Sequence, residues 1–169
     1  MNRLTAWGVE GIGEIVPGMQ LGDVIVDACR AEPNGPLLDN DVLVVTQKIV
    51  SKAEGRLVEI DPDDPLSHKA LVESEAVRIV RRRGDLIITE TTHGFVCANS
   101  GIDLSNVQRG QAALLPIDSD RSARRIRDIV KAKLGVNVGV IVSDTFGRPW
   151  RKGLTDVAIG VAGIAGVLD

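Results

Sequence analysis

Residues 139–153, GVIVSDTFGRPWRKG, set a carboxylate, a hydroxyl and three cations close together along the chain. Four apolar residues carry the backbone as a buried strand to Ser143 and deliver Asp144 and Thr145 at its end, with Arg148, Arg151 and Lys152 close behind. Carboxylate, hydroxyl and water oxygens suit magnesium or manganese, and guanidinium and ammonium groups hold phosphate oxygens that the same cation can bridge. That is the chemistry of nucleotide-driven phosphoryl transfer. The residues also fit a strand-to-turn connection with solvated charges, and this stretch alone leaves both readings open.

A second candidate is 99–107, NSGIDLSNV, where Asp103 lies among Gly101, Ser105 and Asn106. Such a turn can put a carboxylate and an amide on a ligand, or it can close on itself as an Asx turn. Lys52 reads either as a source of positive charge or as a surface lysine after a strand. His68 falls on a helix surface, His93 belongs to a turn, and a lone Trp150 fits packing better than cover for a flat ring.

The elements that must position these groups follow from periodicity. Leu21, Val24, Ile25 and Ala28 recur at helical spacing, predicting a helix over 21–30 before the turn-rich EPNGP. Residues 41–50, DVLVVTQKIV, predict a strand buried on both faces that delivers Ser51 and Lys52. Asp64 before Pro65 predicts a helix start, with Val72, Ala76, Ile79 and Val80 inward and Gly84 as its stop. Residues 86–91 and 94–98 predict a hairpin turning at His93 and Gly94. The spacing of Ala123, Ile126, Val130 and Leu134 predicts a helix over 119–134, its basic residues outward and Gly135 ending it. Strands and helices do not alternate regularly, and no GxGxxG or GxxxxGK[ST] follows a strand, so the expectation is an irregular α+β fold: a mixed sheet with packed helices.

With 169 residues, 44% of them hydrophobic, the chain can bury a real core, and residues 1–169 are read as one domain. A net charge of -3 and only four Phe and Trp residues argue against a nucleic-acid platform. Cys29 and Cys97 lack CxxC spacing, so a reduced cytoplasmic protein is expected. The N-terminus lacks the continuous apolar core of a signal peptide, and the glycine-broken run 157–168 is too short to span a bilayer, so no membrane association is expected. That run reads as a chain cut short, or as a segment that docks into a neighbouring subunit or inserts as a terminal core element.

Taken together and in order, VEG near the start, VVTQKIVSKAEGR, ESEAVRIV, NSGIDLSNV and VIVSDTFGRPWRKGLTDVAIG resemble the coenzyme F-420 gamma-glutamyl ligases. These archaeal and bacterial enzymes attach glutamate to a deazaflavin coenzyme, and the resemblance covers nearly the whole chain. It implies a GTP-dependent amide ligase with two divalent cations, magnesium or manganese, and potassium as a further ion. It also implies L-glutamate and a coenzyme F-420 precursor as substrates, and a two-part fold forming an intertwined homodimer. Position by position it makes Asp103, Asp144 and Thr145 divalent-metal ligands. Asn106, Lys52, Thr46 and Gln47 match nucleotide-binding positions, as do Ile12, Gly13, Glu14 and Ile15. The family often has Leu-Pro where this chain has Ile12 and Gly13, which predicts a looser loop without proline's fixed dihedral.

The implied reaction begins when the substrate carboxylate attacks the γ-phosphate of GTP to form an acyl phosphate, which the amine of glutamate then displaces. Lys52 or Arg148 would supply positive charge at the reacting centre, and Arg151 and Lys152 would meet the substrate's anionic groups. The resemblance further implies a longer protein with more metal and nucleotide contacts, so little activity is expected of the 169 residues alone. The competing readings are a nucleotide- and metal-binding but catalytically incomplete fragment, and a metal-dependent phosphohydrolase.

Overall fold

Burial of two helical stripes on one small sheet organises the larger half of the molecule. The computed structural model describes residues 3–31, 33 and 35–167; Glu32 and Asn34 of the expected turn, and Leu168 and Asp169 at the end of the apolar run, lie outside them. Helix α1 (Leu21–Arg30) buries Leu21, Ile25, Val26 and Cys29, and α4 (Ser119–Leu134) buries Ala123, Ile126 and Val130. Both match the predicted spans. The Asp118 carboxylate caps α4 by accepting from the Arg121 amide at 2.8 Å, and Gly135 ends it in the left-handed region at φ 76°. The two helices approach so closely that a Cβ on Gly22 would lie 2.6 Å from Ile129.

The helices cover a mixed sheet ordered β1 (Val42–Thr46), β7 (Gly139–Gly147), β8 (Leu154–Ala162), with β1 parallel and β8 antiparallel to β7. Leu43, Val45, Val138, Val140 and Val142 join the helical residues in one apolar core. Two antiparallel sheets complete the α+β architecture. One pairs β2 (Leu57–Glu59) with β6 (Gln111–Ala113), and the other is ordered β3 (Ala76–Arg83), β4 (Leu86–Thr91), β5 (Val96–Ala98). A smaller core of Cys97, Leu115 and Phe146 lies under this second part, with Phe95 edge-on to Phe146 at 5.5 Å.

Four expectations are corrected. The strand predicted over 41–50 stops at Thr46 and turns into α2 (Gln47–Ala53), and its burial alternates, with Val42 and Val44 exposed and Leu43 and Val45 buried. An amide-to-hydroxyl bond one turn apart, Gln47 Nε2 to Ser51 Oγ at 2.6 Å, holds the new helix. The helix predicted from Asp64 shrinks to α3 (Lys69–Ser74): the Asp64 carboxylate instead takes the Leu66 amide in a turn, and Ala76, Ile79 and Val80 belong to β3. Ile79 pairs with Thr89 of β4, Val77 and Val80 fall at two irregularities of the register, and the strands join across a two-residue turn in which Gly84, at φ 57°, is a hairpin residue and not a helix stop. Asp144 and Thr145 lie within β7, not beyond its end. His68, expected at the surface, is buried at the start of α3, and burial lowers its pKa.

The glycine-broken apolar run contributes most of β8. Val161 donates its amide to Asp120 at 2.7 Å, and Gly160 meets the start of α4, where an added Cβ would fall 2.4 Å from the Ser119 carbonyl carbon. Gly160 is therefore required by backbone contact inside the fold. Among the described residues no helix is long and apolar enough to cross a membrane.

Gly160→Ala should cost about 2 kcal/mol or more, because the obstructing atoms are backbone and cannot rotate away; this corresponds to a fall in Tm of roughly 4–8 °C. Gly166→Ala, whose Cβ meets only Val161 at an ordinary 3.6 Å, should leave Tm within about 1 °C. Equal melting of the two variants in a calorimetric scan would show that β8 does not seat on α4 in this way.

Candidate functional site

The parallel pairing of β1 and β7 aligns Thr46, where β1 ends, with Ser143, from which β7 runs on past the end of its neighbour to Gly147. In open sheets the carboxyl ends of parallel strands are where crevices form, because the chain departs there into loops and helices. A cleft of about 720 Å³ opens at this point, with Thr46, Gln47, Lys48, Asp103, Asp144 and Thr145 in its wall. In the alternation of β7, Asp144 takes the position between Val142 of the larger core and Phe146 of the smaller. A bulge in β8 opposite Val142 and Ser143 lies just before it. Bulges re-aim side chains and recur beside functional sites.

Asp103 reaches the same cleft from the other part of the fold. Its backbone exchanges two hydrogen bonds with Ala113, at 3.0 and 2.8 Å, which fixes it beside β6. Upstream, Asn99, Ser100 and Gly101 all take positive φ, and Ser100 is tied down by its amide to Thr89 Oγ1 at 3.0 Å and its hydroxyl to the Val72 carbonyl at 2.7 Å. Backbone in this region persists only where surrounding bonds hold it. The Asx turn is also present, since the Ser105 amide donates to Asp103 Oδ1 at 2.7 Å.

The two carboxylates are electrostatically unequal. Lys48 Nζ lies 2.7 Å from Asp103 Oδ2 and donates to Ser105 Oγ at 2.9 Å. Burial pushes the Asp103 carboxyl up, but hydrogen bonds from Lys48 and Ser105 outweigh it and hold the pKa below the ordinary value. Among the described residues Asp144 accepts only the amide of Thr145, at 2.8 Å. Burial first, and then the charges of Asp103 and Asp156, push its pKa up. Asp156 faces Thr145 across the strand pair and accepts its hydroxyl proton at 2.6 Å. Cys97, buried nearby, is pushed up to about 11 by burial and by Asp144, which makes it an inert thiol.

The residues expected at the site divide into three groups. Asp103, Asp144, Thr145, Thr46 and Gln47 share the cleft wall. Lys52 and Glu14 meet each other at 2.6 Å, tying the segment of Ile12, Gly13, Glu14 and Ile15 to α2 outside that wall. Asn106, at φ 51°, and the exposed Arg148 also lie outside it, although Gly147 and Leu154, which flank the loop carrying Arg148, line the cleft. Trp150 is exposed in that loop and packs no core. Lys48 and Asp156 escaped the sequence reading. Placing 41–50 in one strand hid the four-residue spacing that puts Lys48 and Lys52 on one helical face, each bonded to an acid.

Asp103, Asp144 and the Thr145 hydroxyl form an all-oxygen donor set suited to a hard cation. Among the described residues no group of three or more His, Cys, Asp or Glu side chains surrounds one point, so a cation here needs water or ligand oxygens to complete its shell. Gln47 Oε1 is a buried acceptor without a hydrogen-bond partner among the described residues.

The opposite shifts predict opposite mutational signs in metal-free protein. Asp144 has a raised folded pKa, so its contribution to stability is full below the unfolded value and is lost as pH rises through the folded one; for Asp103, depressed, stability is present above the unfolded value and is lost as pH falls. Near pH 7, Asp144→Asn should raise Tm and Asp103→Asn should lower it, each on the order of 2–4 °C. Both differences should shrink as melts are taken down to about pH 3. Shifts of the same sign for both variants at pH 7 would contradict this electrostatic picture.

A family profile described as F420-0:Gamma-glutamyl ligase matches residues 11–169. The Coenzyme F420:L-glutamate ligase of Methanothermobacter thermautotrophicus is 40% identical over 96% of this chain and 69% of its own length. Proteins of the same description from Methanopyrus kandleri, 40% identical over 92% of this chain and 65% of theirs, and from Methanocaldococcus jannaschii, 41% over 95% and 70%, agree. The chain thus spans about two thirds of the length of these curated relatives. With a profile that matches from Gly11 onward and relatives aligned over nearly all of its residues, the chain belongs to the F420-0:Gamma-glutamyl ligase family.

Proposed function

We propose that the chain takes part in GTP-dependent attachment of L-glutamate to a coenzyme F-420 precursor through an acyl-phosphate intermediate. The observation that carries this reading is the meeting of Asp103, Asp144 and Thr145 with Thr46 and Gln47 in one cleft. The printed names of the relatives supply the ligase reaction and its amino acid.

A carboxylate does not react with an amine at neutral pH until one of its oxygens becomes a good leaving group. In the proposed sequence a carboxylate oxygen of the precursor forms a bond to the γ-phosphorus of GTP, the bond to the β–γ bridging oxygen breaks, and GDP departs. The glutamate nitrogen then bonds to the acyl carbon, phosphate leaves with its oxygen, and the amine proton passes to solvent or phosphate. Asp103, Asp144 and Thr145 would hold divalent magnesium or manganese, whose charge supplies electrostatic stabilisation of the transferring phosphoryl group. Thr46 and Gln47 would border the nucleotide, and Gln47 Oε1 offers a donor on the ligand an acceptor already stripped of water. Lys52 fixes the 12–15 segment through Glu14, and Arg148 would bring positive charge from the loop above the cleft. Arg151 and Lys152 would face the acidic substrates from the same loop. Potassium as a further ion and homodimer assembly complete the proposal.

The cleft reading is tested by equilibrium dialysis of labelled GTP. The chain should retain GTP with manganese and lose at least about tenfold in affinity either without manganese or as Asp144→Asn. The reaction is tested with precursor carboxylate labelled with oxygen-18, glutamate, GTP and manganese. An acyl phosphate requires one labelled oxygen in the released phosphate for each amide formed. Unlabelled phosphate released without amide would favour a metal-dependent phosphohydrolase, and GTP retained equally by wild type and Asp144→Asn would remove Asp144 from the site.

A further inference from the structure

We propose that Lys48 is the coupling residue of the cleft: its ammonium occupies Asp103 while the site is without a metal, and yields that carboxylate only when an incoming phosphate gives the ammonium a new partner. This rests on the proposed metal site and adds to it a reason why cation and nucleotide should bind together.

The geometry leaves Asp103 with both oxygens engaged, Oδ1 by the Ser105 amide at 2.7 Å and Oδ2 by Lys48 at 2.7 Å. Lys48 bonds Ser105 Oγ as well, and its side chain is only 14% exposed, so the ammonium is seated within the cleft wall and does not wave in solvent. The Lys48 charge is also felt at Asp144. A divalent ion shared by Asp103 and Asp144 therefore competes with an ammonium already seated on one of the two carboxylates.

Lys48 offsets part of the negative charge of Asp103, Asp144 and the neighbouring Asp156, so a divalent ion that arrives without a nucleotide meets an ammonium inside a partly desolvated cleft. A nucleotide brings phosphate oxygens that restore balance and accept the freed ammonium, as lysine readily does for phosphate. With Lys48 neutralised that opposing charge is gone, and the acids hold the bare ion without a nucleotide. Lys48 thus opposes the bare cation and favours its nucleotide complex.

The test measures manganese dissociation constants by the electron paramagnetic resonance signal of the free ion, with and without a non-hydrolysable GTP analogue. Wild type should bind manganese weakly alone and at least about tenfold more tightly with the analogue. Lys48→Met should bind the bare ion about tenfold or more tightly than wild type, with most of the enhancement by the analogue gone. Lys48→Gln, which keeps a hydrogen-bond donor for Asp103, should do the same and carries the test if the methionine variant does not fold. Bare-ion affinity in Lys48→Gln equal to or weaker than that of wild type overturns the coupling role while leaving the metal site standing. Failure of every protein to bind manganese, with or without the analogue, overturns the metal site and the coupling together.

Discussion

Two carboxylates on different parts of the fold are brought to one cleft, and the structure neutralises only one of them. Asp103 is paired with Lys48 and the Ser105 amide, whereas Asp144 is raised by burial and by its acidic neighbours. Desolvated like charges repel unless a cation lies between them or one takes a proton. The arrangement therefore lowers the stability of the ligand-free protein at neutral pH, and a bound cation would recover that loss by mass action. The remaining architecture supplies enough rigidity to hold the pair despite the repulsion.

That rigidity has two sources. On the Asp144 side, β7 is the central strand of its sheet, bonded to β1 and β8 along the stretch leading to the cleft, with α4 packed over β8. On the Asp103 side there is no long strand. A reciprocal backbone pair with Ala113 and a left-handed turn pinned through Ser100 do the positioning instead. Gly101 fits this turn for two reasons: its φ of 68° favours glycine, and a Cβ would come within 3.0 Å of Leu115 in the smaller core. The smaller core thus reaches the site through Phe146 on one flank and Gly101 on the other.

How much of this could be read in the chain depended on how local the information was. Helices α1 and α4 were legible because each carries its own apolar stripe and α4 also has an end signal in Gly135. The boundary at Thr46 was not, since DVLVVTQKIV is apolar enough for a buried strand, and only the fold shows that the face carrying Val42 and Val44 is left uncovered by the core that takes Leu43 and Val45. The stretch from Asp64 to Gly84 read as one helix because Val72, Ala76, Ile79 and Val80 share helical spacing, while the deciding partner, β4, is a pairing that periodicity cannot see. Candidate ligands were visible as residue types, and their membership of one set came from resemblance over the whole chain. Lys48 required knowing both that α2 is a helix and that Asp103 folds back over it.

The placement of the cleft also bears on specificity. Its acidic wall is built from elements fixed in both cores, whereas the basic residues Arg148, Arg151 and Lys152 stand on the exposed hairpin between β7 and β8, whose flanking residues Gly147 and Leu154 enter the wall. Rigid positioning matters most where charge develops during reaction, because fixed dipoles and charges there need no reorganisation at the moment of bond breaking. Recognition of bulky anionic substrates tolerates more motion, and it gains from cations that can follow several carboxylates or phosphates. A fold that keeps its acids on central strand and pinned turn, and its free cations on a loop, separates these two demands physically. On the proposed reading, substrate preference would change through the loop without disturbing the carboxylate pair to which the metal is assigned.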